Sequence, residues 1–386
     1  MSKVPIIRTS ERGQFGRCPW AWWQRWRRGL VPIGVVSDAL WFGTGVHIAL
    51  AGWYCGPGLK RGPFPSETFA KWAEGEIRFI RTETRRGDVD GNRLIEEKLE
   101  PAQELAKAML DGYLELYGED ETWDIIAAER SGQLDVRDPD FPDKIIAIYA
   151  WTFDLVYRDL VDGRIKLGEH KTAKSISTHH LPLDNQAGSY WAIAQPYLRN
   201  EGILGPRETI ACITYNFLRK AMPDTRPRNA EGHYTNKPGK EDYIRALAEV
   251  GISTVEQSGK KAGPIALEKA LLRDLETAAR FIDLKVLGEV SKQQPKPLFE
   301  RHEVDRTAHE RATQIRRIGE EAVVMDAIRK RELPLVKTST RDCPWCDYFE
   351  YCLLDEKGAG ADAEEYRRAM FRVEDPYADH RKSTEE

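Results

Sequence analysis

The period of apolar positions changes along this chain from helical to strand-like and back. Ser10 is a suitable N-cap for a helix reaching about Arg28, with Gly29 as its stop. Gly43-Thr-Gly45-Val-His47 reads as the start of a second helix, and residues 66–86 and 94–117 continue the helical pattern. In the last of these Leu105, Met109, Leu110, Tyr113 and Leu114 recur at helical spacing. Strand signals then dominate over Ile125 to Val136, Lys144 to Tyr157 and Arg164 to Lys171, with a hairpin turn at Asp162-Gly163. Helix returns over 183–198 through Ala187, Tyr190, Trp191 and Ala194, and Glu208 to Leu218 reads as another strand. Residues 222–240 are rich in Pro, Gly and Asn and read as an exposed loop. Helices are expected at 241–250, 264–287 and 305–331, and the charged tail, 356–386, as a loosely packed extension. The expectation is one α/β domain over 1–355, a central mixed sheet flanked by helices. It comprises a helical N-terminal region (residues 1–120), a sheet core (121–220), an insertion (222–300) and a C-terminal helical and cysteine segment (301–355).

Composition adds limits. The chain has 386 residues and ordinary apolar and charged fractions. It has no apolar run of the length, about eighteen, that spans a membrane, and no apolar stretch of a signal peptide at its start, so a cytoplasmic location is expected. A net charge of −4 is not that of a bulk nucleic-acid binder. Any phosphate contact must come from a local patch. One candidate is Arg17 to Arg28, where Arg17, Arg25, Arg27 and Arg28 interleave with Trp20, Trp22, Trp23 and Trp26. Two uses suit this segment: gripping single-stranded DNA by charge and stacking, or packing the tryptophans inward with the arginines solvated.

The strand over 164–171 carries chemistry. Side chains alternate along a strand, so Ile165, Leu167, Glu169 and Lys171 share a face. The apolar pair enters the core while Glu169 and Lys171 emerge at the strand end. The Asp162-Gly163 turn brings Asp154 alongside on the neighbouring strand. Two carboxylates suit a hard divalent cation, and a lysine beside them can orient a water or offset developing charge. A surface salt bridge is the simpler use of an E-x-K sequence.

Six cysteines in a long chain without secretion signals favour metal binding or free thiols over disulfides. Cys343, Cys346 and Cys352 form a C-x2-C-x5-C run, and Cys18 stands more than three hundred residues earlier. All-thiolate ligation suits zinc or an iron–sulfur cluster, and spacing alone does not choose. Cys55 and Cys212, without near partners, are expected to be small buried side chains.

Taken together, Asp154, Glu169-His170-Lys171, the following Gln186-Ala-Gly-Ser-Tyr190 and the upstream Gly43-Thr-Gly45-Val-His47 resemble the PD-(D/E)XK nucleases of the RecB-like kind. Glu129 matches an acidic position of that family, while Trp151 stands where the family commonly has a glycine. The split cysteines resemble its iron–sulfur branch, which includes CRISPR-associated single-domain exonucleases and their phage-encoded relatives. The resemblance covers roughly residues 10–220 and 300–355. It implies a restriction-endonuclease-like core and a metal-dependent DNA exonuclease. Mg²⁺ or Mn²⁺ would be held by His47, Asp154, Glu169 and the backbone carbonyl of His170. Lys171 would position the water, and Gln186 and Tyr190 would contact the scissile strand. A [4Fe–4S] cluster on Cys18, Cys343, Cys346 and Cys352 would join the two ends of the chain. The expected partner is DNA, as linear ends or single strands, with no membrane and a possible homo-oligomer. Alternatives are a zinc-stapled DNA endonuclease and a non-catalytic DNA-binding or assembly protein on the same fold.

Overall fold

The computed structural model describes residues 4–33, 38–84, 94–258 and 262–378. It is an α/β protein built on a mixed sheet flanked by helices on both faces. The longest strands, β3 (Trp123–Arg137) and β4 (Ile145–Asp159), pair antiparallel along almost their whole length. The other edge of β4 is shared. A short strand not foreseen from sequence, β1 (Ile6–Arg8), runs parallel to Ile148–Ala150, and β5 (Ile165–Ala173) pairs antiparallel with Leu155–Arg158. Residues 151–154 of β4 lie between these two partners, where the strand has a free edge. β6 (Ile210–Arg219) runs parallel to β5, and β9 (Phe299–Asp305) closes the sheet. β9 also escaped the sequence reading, because its alternation of apolar and charged residues is masked by Glu300, Arg301 and Glu303.

β4 is buried on both faces, as an almost unbroken apolar run requires. One face packs under α1 (Thr9–Arg17), α6 (Asn185–Asn200) and α9 (Ala308–Arg329), with Tyr149, Trp151, Phe153 and Trp191 in the core. The other packs under α3 (Asp38–Trp53), α4 (Pro65–Thr84) and α5 (Glu100–Tyr117), with Leu50, Leu110, Tyr113 and Tyr157. The helix expected to reach Arg28 is interrupted. Pro19 disfavours helical geometry at the residue before it, and Cys18 is extended (φ −158°, ψ 109°) between α1 and α2 (Pro19–Trp22).

The tail does not behave as a loose extension. After α10 (Phe349–Glu356), α11 (Gly360–Met370) leads into β10 (Phe371–Val373), which pairs antiparallel with β2 (Leu30–Pro32). Tyr377 is buried and its hydroxyl donates to Glu11 Oε2 at 2.7 Å. An apolar core forms here because Leu30, Tyr348, Tyr351 and Phe371 bury one another. Residues 379–386 lie outside the described residues.

Residues 222–297 form a separate compact unit, inserted in sequence between β6 and β9. It holds α7 (Lys240–Glu249), a hairpin of β7 (Thr254–Gln257) and β8 (Gly263–Ala266), and α8 (Leu272–Phe281) around Leu247, Leu267 and Leu275. The helix expected over 264–287 is therefore shorter, its first residues being spent on β8.

Candidate metal centre and cysteine cavity

The site forms where β5 leaves β4. Their last paired residues are Leu155 and Gly168. Beyond this point the His170 amide has lost its strand partner on β4, and the Asp154 side chain takes its place, Oδ2 accepting from His170 N at 2.7 Å. A backbone donor is thereby satisfied by the same carboxylate that faces His47, whose Nδ1 lies 3.2 Å from Asp154 Oδ1. Opposite, Glu129 on β3 has φ +44°, a left-handed conformation costing a non-glycine residue on the order of 1–3 kcal/mol. Such strain persists where surrounding structure enforces it. His47, Glu129 and Asp154 bring one ligand atom each within 4.8 Å of one another, the one such group among the described residues.

Glu169 is almost fully buried. Its Oε1 accepts from Lys171 Nζ at 2.7 Å, while its Oε2 is buried with no hydrogen-bond partner. An orphaned carboxylate oxygen is costly, and beside one imidazole and two further carboxylates it suits a divalent cation. Lys171 Nζ also donates to Gln186 Oε1 at 3.0 Å. Gln186, an exposed residue, thus steadies the lysine. Tyr190, half-buried, lies on the same helix, α6.

The charges answer one another. The Asp154 carboxylate, against the opposing effect of burial, raises His47 to about 9. Burial would raise Asp154, but the charge and hydrogen bond of His47, with His170, outweigh it and hold the carboxyl at about 2. Loss of hydration first, then the neighbouring Asp154 charge, would lift Glu129 toward about 8, but the residue is exposed, and solvent reduces that shift. Burial lifts Glu169 to about 7 against the pull of Lys171. Without an ion, a proton on His47 therefore supplies the positive charge these carboxylates need.

His170 does not bring its ring to this group. The imidazole is buried, stacks on Tyr54 (5.6 Å, 21°) and has Nδ1 2.9 Å from Asn216 Nδ2. Burial lowers it to about 4. Behind Asn216 runs a polar network that periodicity did not reveal. Asn216 Nδ2 donates to the Tyr113 hydroxyl at 2.8 Å, Tyr113 meets Tyr54 at 2.6 Å, and Tyr54 donates to Asp120. Arg301 donates to both Asp120 oxygens at 2.6 Å. Sequence offers no signal for it beyond the buried tyrosine of α5, since its members come from α5, β6, β9 and two loops.

Trp151 fits because of its neighbour across the ladder. It pairs with Gly132, where an added Cβ would come within 2.4 Å of the indole. The space a glycine would leave on β4 is thus supplied by a glycine on β3.

At the other end of α1, Cys18, Cys343, Cys346 and Cys352 line one cavity of about 770 Å³. All are free thiols. Among the described residues no three cysteine sulfurs lie within 4.8 Å of one another. A single zinc with Zn–S bonds of about 2.3 Å would draw its sulfurs to about 3.8 Å apart. The four thiols share the cavity but are not drawn together to that spacing. Trp20, Tyr348 and Tyr351 back this cavity, and Trp20, Trp22 and Trp26 are buried. Arg27 pairs with Glu11, and Arg28 donates to the Tyr351 hydroxyl at 2.7 Å. The Arg/Trp segment is therefore packing, not a stacking platform. Cys212 is buried as expected, and Cys55 is half-buried with its thiol donating to Leu59 O at 3.4 Å.

The fold and site define an α/β protein with a histidine–carboxylate–lysine centre and a four-cysteine cavity. No protein-family model and no curated protein matches the chain. No described helix is long and apolar enough to cross a membrane.

Proposed function

We propose that this protein is a metal-dependent DNA exonuclease of the RecB-like PD-(D/E)XK kind, with a structural [4Fe–4S] cluster. One observation carries the reading. His47, Glu129 and Asp154 bring ligand atoms within 4.8 Å of one another, and the buried Glu169, paired with Lys171, stands beside them where β5 leaves β4. Structural salt bridges do not need a buried, unpartnered carboxylate oxygen such as Glu169 Oε2.

His47, Asp154 and Glu169, with Glu129, would hold Mg²⁺ or Mn²⁺. When bound, the ion acidifies a water and offsets charge on the phosphate. The protein's own groups do the rest. Lys171, held between Glu169 and Gln186, presents its ammonium to the attacking water or the phosphate oxygen. Asp154 fixes the β5 backbone at His170 while facing the ion site, so strand geometry and ligand geometry are set by the same side chain. The Asn216–Tyr113–Asp120–Arg301 network keeps the His170 ring from swinging into the centre. Cys18, Cys343, Cys346 and Cys352, which line one cavity, would hold the cluster. Its role would be to tie α1 to the C-terminal segment.

The test is a time course with end-labelled linear DNA beside a covalently closed circle, with and without Mg²⁺ or Mn²⁺. Metal-dependent loss of the linear substrate with the circle intact is expected. Cutting of the circle would move the reading to an endonuclease, and no cleavage of either would end it.

A further inference from the structure

His170 is a second imidazole beside the metal centre. Its ring centroid lies 6.2 Å from that of His47. Two imidazoles bound to one ion at about 2.1 Å have their centroids roughly 4.5–6.4 Å apart. Distance therefore does not keep His170 from the ion. The arrangement of its hydrogen bonds does.

His170, Asn216 and Arg301 are register partners in one row across β5, β6 and β9. Charge fixes the outer end of the row. Arg301 donates to both oxygens of Asp120, and its guanidinium lies over Tyr117 (3.7 Å) and Trp123 (4.0 Å). A guanidinium can only donate. The Asn216 amide accordingly turns Oδ1 toward Arg301 Nε, 3.5 Å away, and Nδ2 toward the Tyr113 hydroxyl and His170 Nδ1. This order of donors reaches the ring. His170 Nδ1 must accept from Asn216, so the ring hydrogen stands on Nε2. A neutral imidazole has one nitrogen lone pair in the ring plane, and Asn216 occupies it. Neither nitrogen is left to bind an ion. Asn216 is 1% exposed and His170 3%, so water does not compete for the bond between them.

We propose that Asn216, oriented by the Asp120–Arg301 pair, selects the metal of this centre by withholding the His170 imidazole from it. The proposal rests on the metal-centre reading. With His170 withheld, the donor set is one imidazole, His47, among carboxylates, which suits Mg²⁺ or Mn²⁺. A second imidazole would favour Ni²⁺ or Zn²⁺, which nitrogen sites already hold more tightly than Mn²⁺. Asn216 is thus a positioning residue that acts on the choice of ion through His170.

The test reverses the bond. Asn216→Asp keeps the side-chain shape, but a carboxylate accepts from Nδ1–H and frees the Nε2 lone pair, the arrangement that holds most metal-binding histidines. Pulsed EPR of Mn²⁺ bound to the full chain counts the coordinated histidine nitrogens. One is expected in wild type, two in Asn216→Asp, and one again in Asn216→Asp/His170→Phe. By calorimetry the ratio of Ni²⁺ to Mn²⁺ affinity should rise about tenfold or more in Asn216→Asp and return in the double variant. Titration of Asp154→Ala subtracts binding elsewhere in the chain, the cysteines included. A merely structural defect would weaken both ions and add no nitrogen. Nitrogen NMR of metal-free wild type should find the His170 hydrogen on Nε2, and it should stay there when Mg²⁺ is added. This measurement decides the matter if Asn216→Asp does not fold. One nitrogen in folded Asn216→Asp, an unchanged affinity ratio, or a wild-type hydrogen on Nδ1 overturns the proposal. Absence of Mn²⁺ binding by wild type removes the metal-centre reading, and this proposal with it.

Discussion

Binding of a divalent cation at the His47–Asp154–Glu169 centre should release protons, and their number follows from the site. At pH 7 a histidine raised to about 9 is almost wholly protonated, a carboxyl raised toward about 8 is partly so, and one raised to about 7 is half so. Asp154, held at about 2, contributes none. Ligands must shed their protons to bind, so loading the site should release about two protons at pH 7. Apparent affinity should then rise on the order of a hundredfold per pH unit near neutrality. The stability of the metal-free protein should move the other way on account of His47. Its folded value lies above its unfolded value of about 6.5, so its pairing with Asp154 stabilises fully below that value and is lost as pH rises toward about 9. Calorimetric titration with Mn²⁺ in two buffers of different ionisation enthalpy measures the proton count directly. His47→Gln should remove about one proton from it and cut the pH slope to about tenfold per unit. Tight binding with no proton release, or a wild-type count in His47→Gln, would refute the argument that a proton stands in for the cation.

Other outcomes follow from the same geometry. Asp154→Ala, Glu169→Ala and Lys171→Ala should each abolish cleavage, and the Glu169→Ala/Lys171→Ala double variant should be hardly worse, since members of one unit are not additive; cleavage by Glu169→Ala near the wild-type rate would falsify this. Cys18→Ala should lower iron content and melting temperature together, the loss of stability reaching about 4–5 kcal/mol on the chain-entropy model for so long a loop. Cys55→Ala and Cys212→Ala should leave the iron content unchanged, and full iron in Cys18→Ala would sever Cys18 from the cluster. Gly132→Ala should destabilise by about 1–3 kcal/mol, because the new methyl meets the Trp151 ring; an unchanged urea midpoint would show that the indole has room to move.

Much of this site was open to reading from the chain, because its components are local. Alternation along β5 fixes Glu169 and Lys171 on one face, and the turn at Asp162-Gly163 sets Asp154 beside them. Helical spacing carried α4 and α5, whose amphipathic faces are long. The short strands β1 and β9 were not legible, since three to seven residues carry little period and their pairing is with partners far away in sequence. The same holds for the tail. Phe371 and Tyr377 look like isolated aromatics in a charged segment until Leu30 and Glu11 are brought to them. Sequence placed tryptophans beside arginines at residues 17–28, but only the packing decided that the indoles face inward. Residue order determines which groups share a face. Which faces meet is decided by burial of apolar surface summed over the whole molecule, a non-directional force that no local pattern encodes.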